Sequence, residues 1–251
     1  MPAAVSSAPL PLTGERTVPG IEHENYWFRR HEAAYDHIVA QLREGRIQAH
    51  DALEAGCGEG YGAAMLNDVL PGRVFALDYD FATISHVRCR YPKVRALRGD
   101  LQRLPVSSGS LDLVVNLQVI EHLHDQPGFI AECARVLRKG GILVVSTPNR
   151  ITFSPGRDTP LNPFHTRELS AAELHELLAP HFTVSAALGI HHGQGFLAQP
   201  DIVETLIETP VDQWSPALRD FVRGVAASDF QITQGGIDAS LDLIFVATVR
   251  S

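Results

Sequence analysis

Short, mostly apolar runs at residues 52–55, 74–78, 111–117 and 142–146 constrain the fold more than any other feature of the chain. Runs of this length without polar alternation are expected as strands buried on both faces. A weaker run at 94–98 falls between the second and third, making 111–117 the fourth strand and 142–146 the fifth. Stretches with helical period follow at 62–70, 81–91 and 126–138. Strands alternating with helices of about 10–15 residues predict βαβ units and a parallel sheet. Lys139-Gly140-Gly141 is expected to close a helix as a glycine cap before the next strand.

The alternation breaks after residue 180. A sixth strand is expected at 182–190 and a seventh at 241–249, with helical stretches at 198–208 and 216–227 between them. Two late strands joined in this way suit an antiparallel edge pair. The expected organisation is a disordered lead-in at 1–12, a lid and helix at 13–45, a Rossmann-like core at 46–192, a substrate cap at 193–240 and a last strand at 241–251. The 251 residues carry a formal net charge of -8, which argues against binding a nucleic-acid backbone. No apolar run approaches the roughly 20 residues that span a bilayer, and the first dozen residues lack the basic start of a signal peptide. Cys57, Cys89 and Cys133 are odd in number and without metal-like spacing, so a reducing cytoplasm is expected.

The first strand ends in Leu53-Glu54-Ala55-Gly56-Cys57-Gly58-Glu59-Gly60, a glycine-rich turn that opens a helix. Glycines there let a ligand approach the backbone closely. Gly58 to Ala63 also satisfies the dinucleotide pattern, so a nicotinamide or flavin cofactor is a rival reading on the glycines alone. The acids decide otherwise. Glu54, just before the glycines, would repel a pyrophosphate but could bind an ammonium group. Asp78 ends the second strand, where a carboxylate can accept ribose hydroxyls. Asp100 follows the third, within reach of an adenine amine. Each aspartate alone could be a helix cap or turn residue. Three acids at the ends of three successive strands, on the edge where open α/β sheets bind ligands, favour the cofactor reading.

Glu54-Ala-Gly-Cys-Gly-Glu-Gly, with Asp78, Asp100 and Thr147-Pro148-Asn149, resembles the motif series of class I S-adenosylmethionine-dependent methyltransferases over about residues 30–190. The resemblance implies a Rossmann-like α/β fold with a seven-stranded, mostly parallel sheet, an antiparallel last strand and helices on both faces. It implies that Glu54, Ala55, Gly56, Cys57 and Gly58 hold the methionine part, Asp78 with Tyr79 the ribose, and Asp100 with Leu101 the adenine. Asn116 and Gln118, where the fourth strand ends, complete the expected cofactor edge.

The fourth strand runs on into Gln118-Val119-Ile120-Glu121-His122. If this segment opens a helix, Gln118, Glu121 and His122 share a face at i, i+3 and i+4. Asn162-Pro163-Phe164-His165 supplies a second imidazole. His122 could be a general base for an attacking hydroxyl. Alternatively Gln118, Glu121, His122 and His165 could hold a Mg²⁺ ion that lowers the hydroxyl's pKa. A third reading makes His122 an ordinary core histidine. Glu121-His122 resembles the Glu-x-x-Glu-His metal motif of small-RNA 2′-O-methyltransferases and ubiquinone-pathway O-methyltransferases, with Gln118 replacing the first Glu. His191-His192, expected after the sixth strand, could line the substrate side or be a solvated loop pair.

Three aromatics beside two arginines, Tyr26-Trp27-Phe28-Arg29-Arg30, could pack a helix onto the core. They could equally form a lid, with Arg30 binding the methionine carboxylate. In the cap, Trp214 and Phe230 could stack on sugar rings or be core. The segments 12–19, 24–31, 147–158 and 162–169 resemble the mycobacterial 1-O-methyltransferases of methylmannose polysaccharide synthesis. That likeness implies methylation of the anomeric hydroxyl of a short 3-O-methylated mannoside. The expected partner is thus a small saccharide, with no nucleic acid, no stable membrane association, and a homodimer as the candidate assembly. Quinone or phenol methylation, and a catalytically silent cofactor-binding subunit, are the alternatives.

Overall fold

A computed structural model describes residues 10–13 and 16–250. Most of the expected lead-in lies outside these residues, and Leu10, at its end, is buried. The strands are β1 (Ala52–Ala55), β2 (Val74–Asp78), β3 (Arg95–Arg98), β4 (Leu111–Leu117), β5 (Leu137–Pro148), β6 (Phe182–His192), β7 (Phe230–Thr233) and β8 (Asp242–Val249). They form one sheet in the order β3-β2-β1-β4-β5-β8-β6-β7. The pairs from β3 to β5 are parallel, while β8 is antiparallel to both β5 and β6, and β7 to β6. The helices are α1 (Asn25–Arg43), α2 (Tyr61–Asn67), α3 (Phe81–Arg90), α4 (Gln126–Val136), α5 (Arg150–Phe153), α6 (Ala171–Leu178), α7 (Gln194–Leu197), α8 (Pro200–Glu208) and α9 (Pro216–Gly224).

Side-chain alternation divides the core into two. Ala52, Ala76, Leu113 and Val115 pack with Ile38 of α1, Leu66 of α2 and Val87 of α3. Leu53, Leu77, Val114 and Val145 face the other way, against Phe129 and Ile130 of α4 and Leu174 of α6. Successive residues of a strand point to opposite faces, so a sheet covered on both sides reads as a continuous apolar run. From β1 the chain winds outward through β2 and β3 on one side, and through β4 and β5 on the other. The crevice where the direction reverses lies above the ends of β1 and β4.

Three expectations are corrected. The sheet has eight strands, because Phe230–Thr233 lies within the predicted cap and pairs with Gly189–His192 of β6. Four residues between helical segments are too few for alternation to show. Gly140, with φ of 73°, lies inside β5 and does not cap a helix; α4 stops at Val136, and the chain enters the strand at once through a register shift opposite Leu111 and Leu113. His191 and His192 belong to β6 itself. The His192 Nε2 lies 2.7 Å from the Tyr26 hydroxyl, and its ring packs on Phe196 and Phe230.

Of the aromatic residues near the N-terminus, Tyr26 and Phe28 are buried in packing, while Trp27 also borders a cavity. Trp27 stacks on Trp214 with ring centroids 6.4 Å apart, and Tyr26 meets Phe196 and Phe230 edge-on. Trp214 and Phe230 are both buried. The Asn25 amide caps α9 by donating to the carbonyls of Val222 and Val225, both at 2.9 Å. Arg30 locks the helix to the sheet: its Nε and Nη2 donate to the two carboxylate oxygens of Asp242, the first residue of β8. Both partners are buried.

Removing one partner of a buried ion pair strands the other charge. Asp242→Ala should therefore lower unfolding free energy by about 3–5 kcal/mol, whereas Arg30→Met with Asp242→Leu should recover most of it. Urea unfolding of the three proteins measures this, and equal losses in the single and double variants would contradict it.

Candidate active site

β1 ends at Ala55, and the backbone N–H groups of Gly56 and Cys57 both donate to the Leu77 carbonyl, at 2.8 and 2.9 Å. The glycine turn is thereby pinned to β2. Gly56 has φ of 86°, and a Cβ there would stand 2.7 Å from a Val119 methyl. Gly62 opens α2 against α1: a Cβ on it would come within 2.3 Å of Tyr35 and Glu54. Glu59 fastens the turn to α3, meeting His86 Nε2 at 2.6 Å and accepting from the Tyr91 hydroxyl at 2.8 Å.

Glu54 is buried beneath this turn. Its Oε1 accepts the Tyr35 hydroxyl, and its Oε2 has no hydrogen-bond partner. Burial, with smaller repulsion from Asp78 and Glu59, pushes its pKa up to about 8 against hydrogen bonds from the Tyr35 hydroxyl and the Ala63 backbone. A buried carboxylate oxygen lacking a donor gains from a ligand that brings an N–H or a positive charge. Asp78 accepts the Gly58 N–H at 3.1 Å and the Asp80 N–H at 2.9 Å, which orient its carboxylate at the end of β2. The Asp78 carbonyl takes the Gly99 N–H, bringing the Asp100–Leu101 turn to the same edge. Asp100 and Tyr79 are exposed there, Tyr79 at 69%.

Two cavities adjoin this edge. A small one of about 60 Å³ borders Gly56, Cys57 and Gly58. A larger one of about 290 Å³ borders Glu121, His122 and His165. Arg16, Thr17, His31 and Gln118 line both, so they form the junction between them. Burial, reinforced by Arg30 and opposed by Asp242, lowers the His31 pKa to about 4. The junction histidine is therefore neutral at physiological pH. Gln118 is the non-glycine residue with positive φ, 56°, among the described residues. That conformation costs about 1–3 kcal/mol and tends to mark functional positions.

The predicted helix through 118–122 is absent. A single 3₁₀ turn covers Ile120–His122, and Gln118 precedes it. The Glu121 carbonyl, which would continue an α-helix, instead accepts the N–H groups of Thr166 and Arg167, at 2.7 and 3.2 Å. This tie delivers His165. The ligand atoms of Glu121, His122 and His165 all lie within 4.8 Å of one another. Gln118 is not aligned with them by helical spacing; its amide nitrogen donates to Ser146 Oγ at 3.0 Å.

Each group in the cluster is oriented from behind. Thr147 Oγ1 donates to Glu121 Oε2 at 2.9 Å. His122 Nδ1 lies 3.0 Å from the Phe164 carbonyl, and His165 Nδ1 lies 2.7 Å from Glu168 Oε1. A ring that donates through Nδ1 keeps the lone pair on Nε2. Burial raises the Glu121 pKa to about 8, with Asp242 and Glu168 adding to it and the hydrogen bonds opposing.

Two cofactor expectations change. Arg30 commits two guanidinium nitrogens to Asp242, so the carboxylate-binding role does not fit it. Arg16 is the arginine beside the glycine turn, its Nη1 donating to Thr83 Oγ1. Asn116 is fully buried, its amide donating to the Ala55 carbonyl at 2.7 Å, and so braces β4 against β1 beneath the edge. Thr17 and His31 went unassigned because the sequence offered a lid at 13–45 without indicating which of its residues reach the crevice.

The raised pKa of Glu54 has a consequence for stability. Between its unfolded value near 4.5 and its folded value near 8, the ligand-free protein holds a proton on Glu54 that the unfolded chain has lost. Stability from this group is complete below pH 4.5 and is lost as pH rises through 8. Glu54→Gln should flatten the decline in urea-unfolding free energy between pH 5.5 and 8 by up to about one proton's worth. An unchanged slope would show that Glu54 ionises normally.

The family model for a methyltransferase domain matches residues 53–145. A probable S-adenosylmethionine-dependent methyltransferase of Mycolicibacterium smegmatis is 54% identical over 95% of each chain. One of Mycobacterium tuberculosis is 48% identical over 98% of this chain and 93% of its own. Among solved structures, a chain from the Haloferax volcanii complex of the Trm112 methyltransferase activator with a methyltransferase superposes with a TM-score of 0.63. That match is at 19% identity and covers 94% of this chain and all of the other. These likenesses remove the nicotinamide reading. The chain belongs to the S-adenosylmethionine-dependent methyltransferases and has their Rossmann-like fold.

Proposed function

We propose that the protein is an O-methyltransferase acting on a saccharide hydroxyl, the anomeric hydroxyl of a short 3-O-methylated mannoside, with help from a divalent cation such as Mg²⁺. The observation that carries the reading is the Glu121, His122, His165 cluster, placed across the Gln118–His31 junction from the glycine turn. The near end-to-end resemblance of the sequence to mycobacterial mannoside 1-O-methyltransferases supplies the acceptor.

S-adenosylmethionine supplies an electrophilic methyl group. The orphaned Oε2 of Glu54 suits its amino end, Asp78 its ribose hydroxyls, and Asp100 with Leu101 its adenine. The neutral His31 adds no positive charge to the junction between the two cavities. A sugar hydroxyl is a weak nucleophile, and a bound cation would lower its pKa. Glu121, His122 and His165 would hold that cation, with the His165 Nε2 exchanging the Asn162 amide, now 3.1 Å away, for the metal. Carboxylate and carbonyl partners behind the imidazoles, here Glu168 and Phe164, are the usual support of metal-binding histidines. A second reading rests on the same Phe164 contact: it fixes His122 Nε2 as a proton acceptor, so His122 could serve as a base unaided.

Transfer of labelled methyl to a 3-O-methylated mannoside should be lost by more than about 100-fold in His122→Ala. Chelation should abolish it reversibly, with Mg²⁺ restoring the rate. Full activity in chelator would leave His122 as a base and end the metal reading. Transfer to phenols or quinones but to no mannoside would end the sugar reading.

A further inference from the structure

A third cavity, of about 270 Å³, lies behind the loop that carries His165. Its walls include Arg150, Arg157 and Arg167 together with Asp158, Glu168 and Glu173. Equal numbers of each sign favour a neutral ligand over an anion or a cation. Arg150 and Arg167 both face Glu173, at 3.1 and 3.8 Å. The Arg157 side chain has no ion pair or hydrogen bond among the described residues, so its five N–H donors are available.

Glu168 provides the complement. It is 2% exposed, its Oε1 faces His165, and its Oε2 has no donor. A buried carboxylate oxygen in that condition is costly unless a ligand brings it a hydrogen. Arg157 and Glu168 both border this cavity, and an unused guanidinium beside a buried carboxylate short of a donor matches a molecule that both accepts and donates through neutral oxygens. Vicinal hydroxyls of a sugar do this.

The cavity abuts the reaction cavity through shared backbone. Phe153 lines the reaction cavity and Ser154 this one; His165 lines the first and Thr166 the second. On the same loop, Leu161 and Phe164 are exposed at 52% and 45%, giving apolar surface for the C–H face of a sugar ring.

We propose that this cavity is a second saccharide subsite. It takes a sugar unit of the acceptor chain away from the methylated one, with hydroxyls donating to Glu168 Oε2 and accepting from Arg157. The proposal rests on the sugar-acceptor reading given above.

The test compares 3-O-methylated mannosides of one to four units with the full-length protein and with Arg157→Ala. Expected is a KM that falls with chain length in the parent. Arg157→Ala should raise KM for the tetrasaccharide about tenfold, the loss of one charge-assisted hydrogen bond, with kcat and the monosaccharide KM unchanged. Calorimetric binding of the tetrasaccharide should weaken in parallel, and the unfolding midpoint should hold, since Arg157 is exposed. A parent KM independent of length, or a variant KM raised equally for short and long acceptors, would overturn the subsite while leaving the sugar reading intact. Methylation of no mannoside of any length would overturn the sugar reading, and the subsite with it.

Discussion

The Glu121, His122, His165 cluster depends on one backbone interaction. The Glu121 carbonyl accepts hydrogens from Thr166 and Arg167, segments 45 residues apart in the chain, and the Thr166 hydroxyl donates to the same oxygen at 3.0 Å. That oxygen would otherwise propagate a helix from β4. Because it is engaged, the chain stops after one 3₁₀ turn and turns the Glu121 and His122 side chains toward a loop that could not have been placed by local pairing. His165, Phe164 and Glu168 arrive together with that loop. The Gln126 amide reinforces the arrangement by donating to the carbonyls of Ile120 and Arg167, at 3.0 and 2.8 Å.

Electrostatics around this tie follow from burial. Glu54 and Glu121 have raised pKa values, and His31 and His192 lowered ones, because each sits where ionisation is expensive. The charges that do persist in the interior are paired: Arg30 with Asp242 is the buried example between α1 and the sheet. The ligand-free site is thus poised with neutral groups and unsatisfied oxygens. A cationic cofactor or a metal ion would restore the charged forms of the acids. Binding of either therefore competes with the protons that burial keeps on Glu54 and Glu121.

Sequence reasoning reads the parts of this fold that local periodicity encodes. The parallel strands, the glycine turn and the acids Asp78 and Asp100 were legible because buried strands and the turns that follow them have short-range signatures. Glu121, His122 and His165 were legible as residue types, and their convergence was inferred by likeness. The 3₁₀ turn at His122 was not, since it is imposed by Thr166 and Arg167. The fate of Arg30 was also hidden: nothing near it in sequence indicates Asp242, 212 residues away. β7 escaped because four residues carry too little pattern, and because its partner on β6 is set by the sheet edge.

The junction residues explain why the two halves of the site need different evidence. The cofactor half is built from consecutive βα turns, so its geometry is nearly a consequence of the parallel sheet. The half proposed for the acceptor is built from the β4 end, the loop before α6, α1 and the segment ahead of it, brought together by long-range contacts. Gln118 stands at the boundary in a strained conformation, its N–H held by the Ser146 carbonyl at 2.9 Å and its amide by Ser146 Oγ. A residue fixed twice to β5 in an unfavourable backbone region is not there for packing. Its place between the glycine turn and the histidines puts it on the wall that the two cavities share, held to the parallel sheet by both of its bonds to Ser146.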